Sequence, residues 1–185
     1  MLPADKKYEE FAHVLDFLPR GKSVVIKGRE GPIVQAIGEE RLTLLELLAI
    51  ENQDFAVGEK VKIGKEGREK IISVLGKLAY EELSPEAVNA LPAVVEGLVK
   101  SNEARYVSYF NELQPLTPRL HGLELIPGIG KTFMNEIVAM REKQPFSSFD
   151  DLQQRVGVRE PAKLIAKRII EELSGDERIN LFVRK

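Results

Sequence analysis

The chain has 185 residues, 43% of them apolar and 30% charged, with a formal net charge of −2 and no cysteine. That is enough apolar material for one large or two small packed domains, and it excludes a globally disordered chain. It also excludes disulfides, thiolate metal sites and cysteine nucleophiles, and any nucleic-acid affinity must come from a local patch or from backbone donors rather than from overall basicity.

From the N-terminus, Met1–Lys7 has no apolar signal core, and no run approaches the roughly 18 apolar residues of a membrane span. A soluble, cytoplasmic protein without a membrane partner is expected. Short β-rich runs then alternate with glycine-marked turns. They are His13–Leu18, Ser23–Lys27, Pro32–Ile37, Leu42–Ile50, Lys60–Ile63 and Ile71–Leu78, with Pro19-Arg20-Gly21 and Gly28–Gly31 as the first two turns. Leu42–Ile50 suits a helix face equally well; strand is preferred. Regularly spaced short strands predict a small barrel or sandwich over residues 1–83. Val61 and Ile63 alternate with lysines, as in a half-buried strand.

Near Pro85 the pattern turns helical. Ser84-Pro85-Glu86 reads as a helix start, with serine as N-cap and proline at the first position. Pro92–Asn102 and Glu103–Leu113 carry helical periodicity, so residues 84–113 are read as connecting helices. After a break at Gln114–Pro118, helices are expected at Arg119–Leu125, Gly130–Glu142, Ser148–Arg155 and Glu160–Leu173, within a helical domain over 114–175. Residues 176–185 contain Arg178–Val183, a predicted strand or tail returning to the barrel.

The chemistry concentrates at Leu123–Thr132. Gly128 and Gly130 bracket a turn and permit backbone angles other residues resist. Ile129 can plug the turn from inside. The amides of Gly128, Ile129 and Gly130 then face outward at the start of a helix, where unpaired N–H groups favour phosphate. Lys131 adds a mobile cation and Thr132 a hydroxyl donor. Gly-Ile-Gly-Lys-Thr is not a Walker loop, because the Gly-x4-Gly-Lys spacing fails.

The segment resembles the helix-hairpin-helix family, whose hairpin reads apolar–Pro–Gly–apolar–Gly–Lys; the match is complete from Ile126 to Lys131 and extends through Ile137 to Arg141. Phe146–Leu152 resembles the linker of tandem hairpin domains. Arg155-Val156-Gly157-Val158-Arg159 aligns as a worn second copy, with Val156 for the proline and Arg159 for the second glycine. Gly157 keeps an amide to offer, and Arg159, Lys163, Lys167 and Arg168 could contribute side-chain charge; Lys163 and Lys167 share a helical face. In the order of Phe55–Gly64, Leu83–Pro85 and the Arg119–Arg141 hairpin, the whole chain resembles an archaeal family of unknown function described as RNA- or nucleotide-binding. That resemblance implies an α+β fold of two domains, an N-terminal OB-like β-barrel followed by an all-α tandem helix-hairpin-helix domain. It implies no reaction.

Other residues read as structural. Asp150 and Asp151 fit a helix start, where acidic residues suit the dipole, better than a base-excising site. His13 and His121 form no metal constellation. Lys60, Lys62, Lys65, Arg68 and Lys70 are interleaved with glutamates and suit a solvated face, and Tyr80 and Phe55 are the aromatics available for stacking on the barrel. Residues 114–173 hold nine Lys/Arg against eight Asp/Glu, so weak, salt-sensitive binding is expected. The expectation is a non-enzymatic, non-sequence-specific binder of the RNA or DNA backbone, with no metal and no cofactor, working with a ribonucleoprotein or processing enzyme. The alternatives are a protein-interaction adaptor and, ranked third, a nucleic-acid-modifying enzyme.

Overall fold

The computed structural model describes residues 8–175 and 177–185; the readings of Met1–Lys7 and of Asp176 lie outside them. The fold is mixed α+β. A curled five-stranded antiparallel sheet, a half-barrel, is built from β1 (Phe11–Lys22), β2 (Glu30–Gly38), β3 (Leu44–Ala49), β4 (Lys60–Lys62) and β5 (Ile71–Lys77) in the order β4-β1-β2-β3-β5. Five helices follow: α1 (Pro85–Ser101), α2 (Glu103–Glu112), α3 (Lys131–Lys143), α4 (Phe149–Val156) and α5 (Pro161–Ser174). Between α2 and α3 lies a small ribbon, β6 (Pro115–Thr117) and β7 (Leu120–His121). The chain divides into two compact units, residues 8–94 with Glu172–Lys185, and Val95–Glu171. The division falls inside α1 and near the end of α5.

The sheet follows from period-two patterning. Ala12 and Val14, Val34 and Ala36, and Leu45, Leu47 and Ala49 share one buried face with Val61, Ile63 and Ile71, and Phe17 and Phe55 pack against them. All six residues of β3 are buried, so Leu42–Ile50 contains a strand buried on both faces rather than a helix. The other face meets the start of α1 through Gln35 of β2, within the same unit. Gln35 accepts from the Ser84 N–H at 2.9 Å, and Ser84 caps α1 by accepting from the Ala87 N–H.

Three expected elements differ. Pro19-Arg20-Gly21 is a bulge, not a turn, and β1 runs through it to Lys22. Proline is tolerated there because β4 pairs only with Phe11–His13 on that side of β1. A Cβ on Gly21 would lie 2.9 Å from Leu18 Cβ. The turn is the expected strand Ser23–Lys27. There the Ser23 N–H donates to Arg29 O, and buried Glu46 claims the Ser23 hydroxyl and the Val24 N–H. Arg178–Val183 is not a strand but a tail of the same unit. Its Leu181, Phe182 and Val183 N–H groups converge on the buried Glu172 carboxylate at 2.8, 3.0 and 3.0 Å, and the Arg184 N–H donates to Arg41 O. In addition, α1 starts at Pro85 and continues through Pro92 as a single helix.

Candidate nucleic-acid interface

The segment before the hairpin is not the helix expected over Arg119–Leu125. Leu120–His121 pairs with Pro115–Thr117, and one 3-10 turn follows over Gly122–Leu125. His121 explains why. Its Nδ1 accepts from the Leu123 N–H at 3.0 Å, while its own N–H donates to Glu124 Oε1 at 3.0 Å. These local bonds replace a longer helix. Burial, reinforced by the Arg141 charge, holds the His121 imidazole below its usual pKa. The His121 N–H and then Lys131 hold the Glu124 carboxyl below its usual range.

The hairpin itself is tightly specified. The Ile129 N–H closes on Ile126 O at 3.0 Å, and Ile126 and Ile129 are buried. Gly128 has a φ of +87°, and a Cβ there would lie 3.3 Å from Leu164 Cδ2 on α5. Gly130 is the N-cap of α3, with ordinary extended angles and no side-chain cap. A Cβ on Gly130 would meet nothing within 4 Å. The first turn of α3 carries no acidic residue. Its N–H groups therefore lack intrahelical acceptors, as at any helix start, and no carboxylate of their own turn neutralises them. Lys131 and Thr132 are exposed beside them. The Lys131 Nζ lies 3.4 Å from Glu124 Oε2 and is 69% exposed, so the pair is weak and easily exchanged for another anion.

The turn at Gly157 repeats the glycine geometry of the turn at Gly128 but not its chemistry. Gly157 caps α4 with the same φ of +87°, and Val158 is buried where Ile129 is in the first copy. Arg159 is exposed in place of Gly130. Glu160, at a φ of +48°, stands in place of Lys131, and its carbonyl receives the Lys163 and Leu164 N–H groups. Pro161 at the helix start has no N–H. Lys163 and Lys167 are exposed along α5, above the buried Ala162, Ile165, Ala166 and Ile169, whereas Arg168 is buried and adds no surface charge. Leu164 puts α5 in contact with the first hairpin, so one unit holds both sets of expected residues.

Several charged groups serve packing. Arg155 donates to Met140 O and Gln144 O at the end of α3 and lies over the Phe146 ring. Asp151 accepts from the Ser147 N–H and pairs with Arg155 at 3.1 Å. In the half-barrel, Lys60, Lys62 and Lys70 pair with glutamates, Arg68 binds backbone carbonyls, and Phe55 packs edge-on against Phe17. His13 meets Glu39 at 3.1 Å. One residue near the hairpin escaped sequence reading. Arg119 is exposed at the β6–β7 turn, with its carbonyl 3.5 Å from Lys131 Nζ; the Thr-Pro-Arg-Leu turn signal was the clue available. Among the described residues, no cluster of acidic or histidine side chains suits a metal ion, and no helix is long and apolar enough to cross a membrane.

A family model described as a protein of unknown function, DUF655, matches residues 8–184. An uncharacterised protein of Methanocaldococcus jannaschii is 44% identical over 181 residues, which are 97% of this chain and 82% of that protein. A crystal structure from Archaeoglobus fulgidus, titled as a member of the same family, superposes with a TM-score of 0.85 at 40% identity, covering 95% of this chain and 100% of the other. The chain belongs to the DUF655 family.

Proposed function

We propose that this DUF655 chain holds the sugar-phosphate backbone of a nucleic acid, RNA or DNA, without reading sequence, and that the hairpin at Gly128–Thr132 is the grip. The observation that carries the reading is the start of α3. It is uncapped, free of acidic residues in its first turn, and open beside Gly130. A phosphate oxygen there would receive N–H groups that the fold leaves unused, with Lys131 and Thr132 at the rim. Gly128, Ile129 and Gly130 shape the seat. Gly157, Arg159, Lys163 and Lys167 form a subsidiary contact, weakened by Glu160 and Pro161.

Two finer assignments belong to this reading. The paired Gly128 and Gly157 turns, each followed by a buried aliphatic residue, support a tandem helix-hairpin-helix arrangement. The strand order, open between β4 and β5, suits an OB-like half-barrel. The balanced charge of residues 114–173 supports weak binding, completed by a ribonucleoprotein or a processing enzyme.

The test is a titration of duplex DNA, single-stranded DNA and structured RNA with the full chain from about 50 to about 200 mM salt. The wild type is expected to bind at least one of them, with an affinity that falls steeply with salt. Lys131→Glu should bind more weakly and with a shallower salt slope, by about one unit or more. Equal binding by both proteins, or none by either, refutes the reading.

A further inference from the structure

Among the described residues, the sheet ends in two edge strands without a further strand partner, β4 and β5. A guanidinium rather than a strand spans the gap between them. Arg68 donates from Nε to Ile63 O at 3.0 Å and from Nη1 to Ile72 O at 2.7 Å. Past that clip, β5 from Ser73 to Lys77 lines a groove of about 770 Å³, whose other lining includes Tyr8, Lys62 and Lys65.

Exposed aliphatic side chains gather at and beside the groove, which Val74 also lines. Ile72 and Val74 on β5 are 50% and 37% exposed, and Val24, Val25 and Ile26 at the β1–β2 turn are 49%, 37% and 43% exposed. Turn and strand are continuous. A Cβ on Gly76 would lie 2.6 Å from Val25 Cγ1, so the glycine lets Val25 close on β5. The turn is held in shape by buried Glu46, through the Ser23 hydroxyl and the Val24 N–H. Five exposed β-branched side chains on this turn and strand, beside an edge with no strand partner among the described residues, mark an interaction surface.

Charge defines the occupant. Lys27, Arg29, Lys65 and Lys77 are exposed and make no ion pair among the described residues. Of the acidic groups lining the groove, Glu10 is matched by Lys62, Glu9 is buried against the Glu40 and Arg41 N–H groups, and Glu66 is left exposed. A strand presents its side chains alternately to two faces. We propose that β5 accepts an extended segment of a partner protein as an added strand, in which β-branched residues alternate with acidic ones. One set covers Ile72, Val74 and Val25; the other meets the lysine-lined groove. A single nucleic-acid strand would call for a stacking platform, and the exposed side chains at this edge, apart from Tyr8, are aliphatic or charged. The inference is independent of the hairpin reading.

The probe is a synthetic peptide of about nine residues, a common strand length, alternating valine with glutamate. Three controls accompany it: the valine–lysine counterpart, a version N-methylated on alternate amides, and an oligothymidylate of similar length. Saturable binding to the full chain is expected, with slowed amide exchange within Ser73–Lys77. N-methylation should weaken binding by about tenfold or more, because main-chain hydrogen bonds carry strand addition. The Lys65→Glu/Lys77→Glu double variant, folded by circular dichroism, should lose a similar factor. Equal binding of the N-methylated or lysine peptide, no binding, or perturbation of these amides by the oligothymidylate alone overturns the proposal.

Discussion

Gly128 lies against Leu164, so closely that a Cβ on the glycine would sit 3.3 Å from Leu164 Cδ2. The contact joins the Ile126–Gly130 turn to α5. With a φ of +87°, Gly128 is fixed by the fold on two counts. Gly128→Ala is therefore expected to destabilise the chain by about 1–2 kcal/mol, the scale of left-handed strain plus a tight contact. Urea denaturation measures it. A change within about 0.5 kcal/mol, typical of neutral surface substitutions, would mean the turn relaxes freely.

Glu160 occupies, in the second copy, the place of Lys131 in the first. Its φ of +48° is one that asparagine tolerates better. Glu160→Asn removes the negative charge at the start of α5 without demanding a new backbone. Stability should stay within about 0.5 kcal/mol of wild type. Affinity for duplex DNA or structured RNA should rise roughly two- to fivefold, the worth of one like charge removed near phosphate. Unchanged affinity would exclude the second hairpin from the interface.

His121 ties stability to pH. Its neutral Nδ1 accepts from the Leu123 N–H, and burial lowers its pKa from the ordinary 6.5. The folded chain thus binds fewer protons at this site than the unfolded chain. The stabilisation is full above the ordinary value and is lost as pH falls below it towards the folded-state value. The urea midpoint of the wild type should drop between pH of about 7.5 and about 5.5, the window around an ordinary histidine. His121→Asn, which keeps a capping acceptor but does not titrate, should drop less over that window. Parallel profiles would show that other groups dominate there.

Glu172 gathers three tail N–H groups on one buried carboxylate. Glu172→Gln keeps the shape but replaces an acceptor oxygen by a donor facing those groups. A loss of about 1.5–3 kcal/mol is expected, with faster amide exchange at Leu181, Phe182 and Val183. A stable variant with unchanged exchange would mean the tail is held by Phe182 packing alone.

The Ile126–Gly130 turn and the start of α3 were legible because their signals are local. The Ile129 N–H donates to Ile126 O and Gly130 O accepts from the Met134 N–H, each within four positions, as is the Ser84 cap of α1 with Ala87. What the sequence hid depends on distant partners. Val24-Val25-Ile26 has strand composition, yet Glu46, more than twenty positions away, holds the segment as a turn. Pro19 and Gly21 have turn composition, yet pairing with β2 keeps them in β1 as a bulge. Arg119–Leu125 could not be read as ribbon plus 3-10 turn without the His121 ring bond. The sequence also could not distinguish the two glycines of the hairpin. Gly128 is required by the chain's own packing, whereas Gly130 faces open space.

That distinction allows the most direct test of the central claim, with Gly130→Asp compared against wild type in both stability and binding. Gly130 has angles open to any residue, no contact to lose and no side-chain cap. Aspartate at an N-cap accepts from the first-turn N–H groups, so the variant should be as stable as wild type or more stable by a few tenths of a kcal/mol, about the margin over glycine there. The same carboxylate would occupy and repel the phosphate seat, so binding to duplex DNA or structured RNA at low salt should fall by about tenfold or more, the worth of a charge-assisted hydrogen-bond site. A stable variant that binds as tightly as wild type would contradict the account and move any nucleic-acid contact elsewhere on the chain.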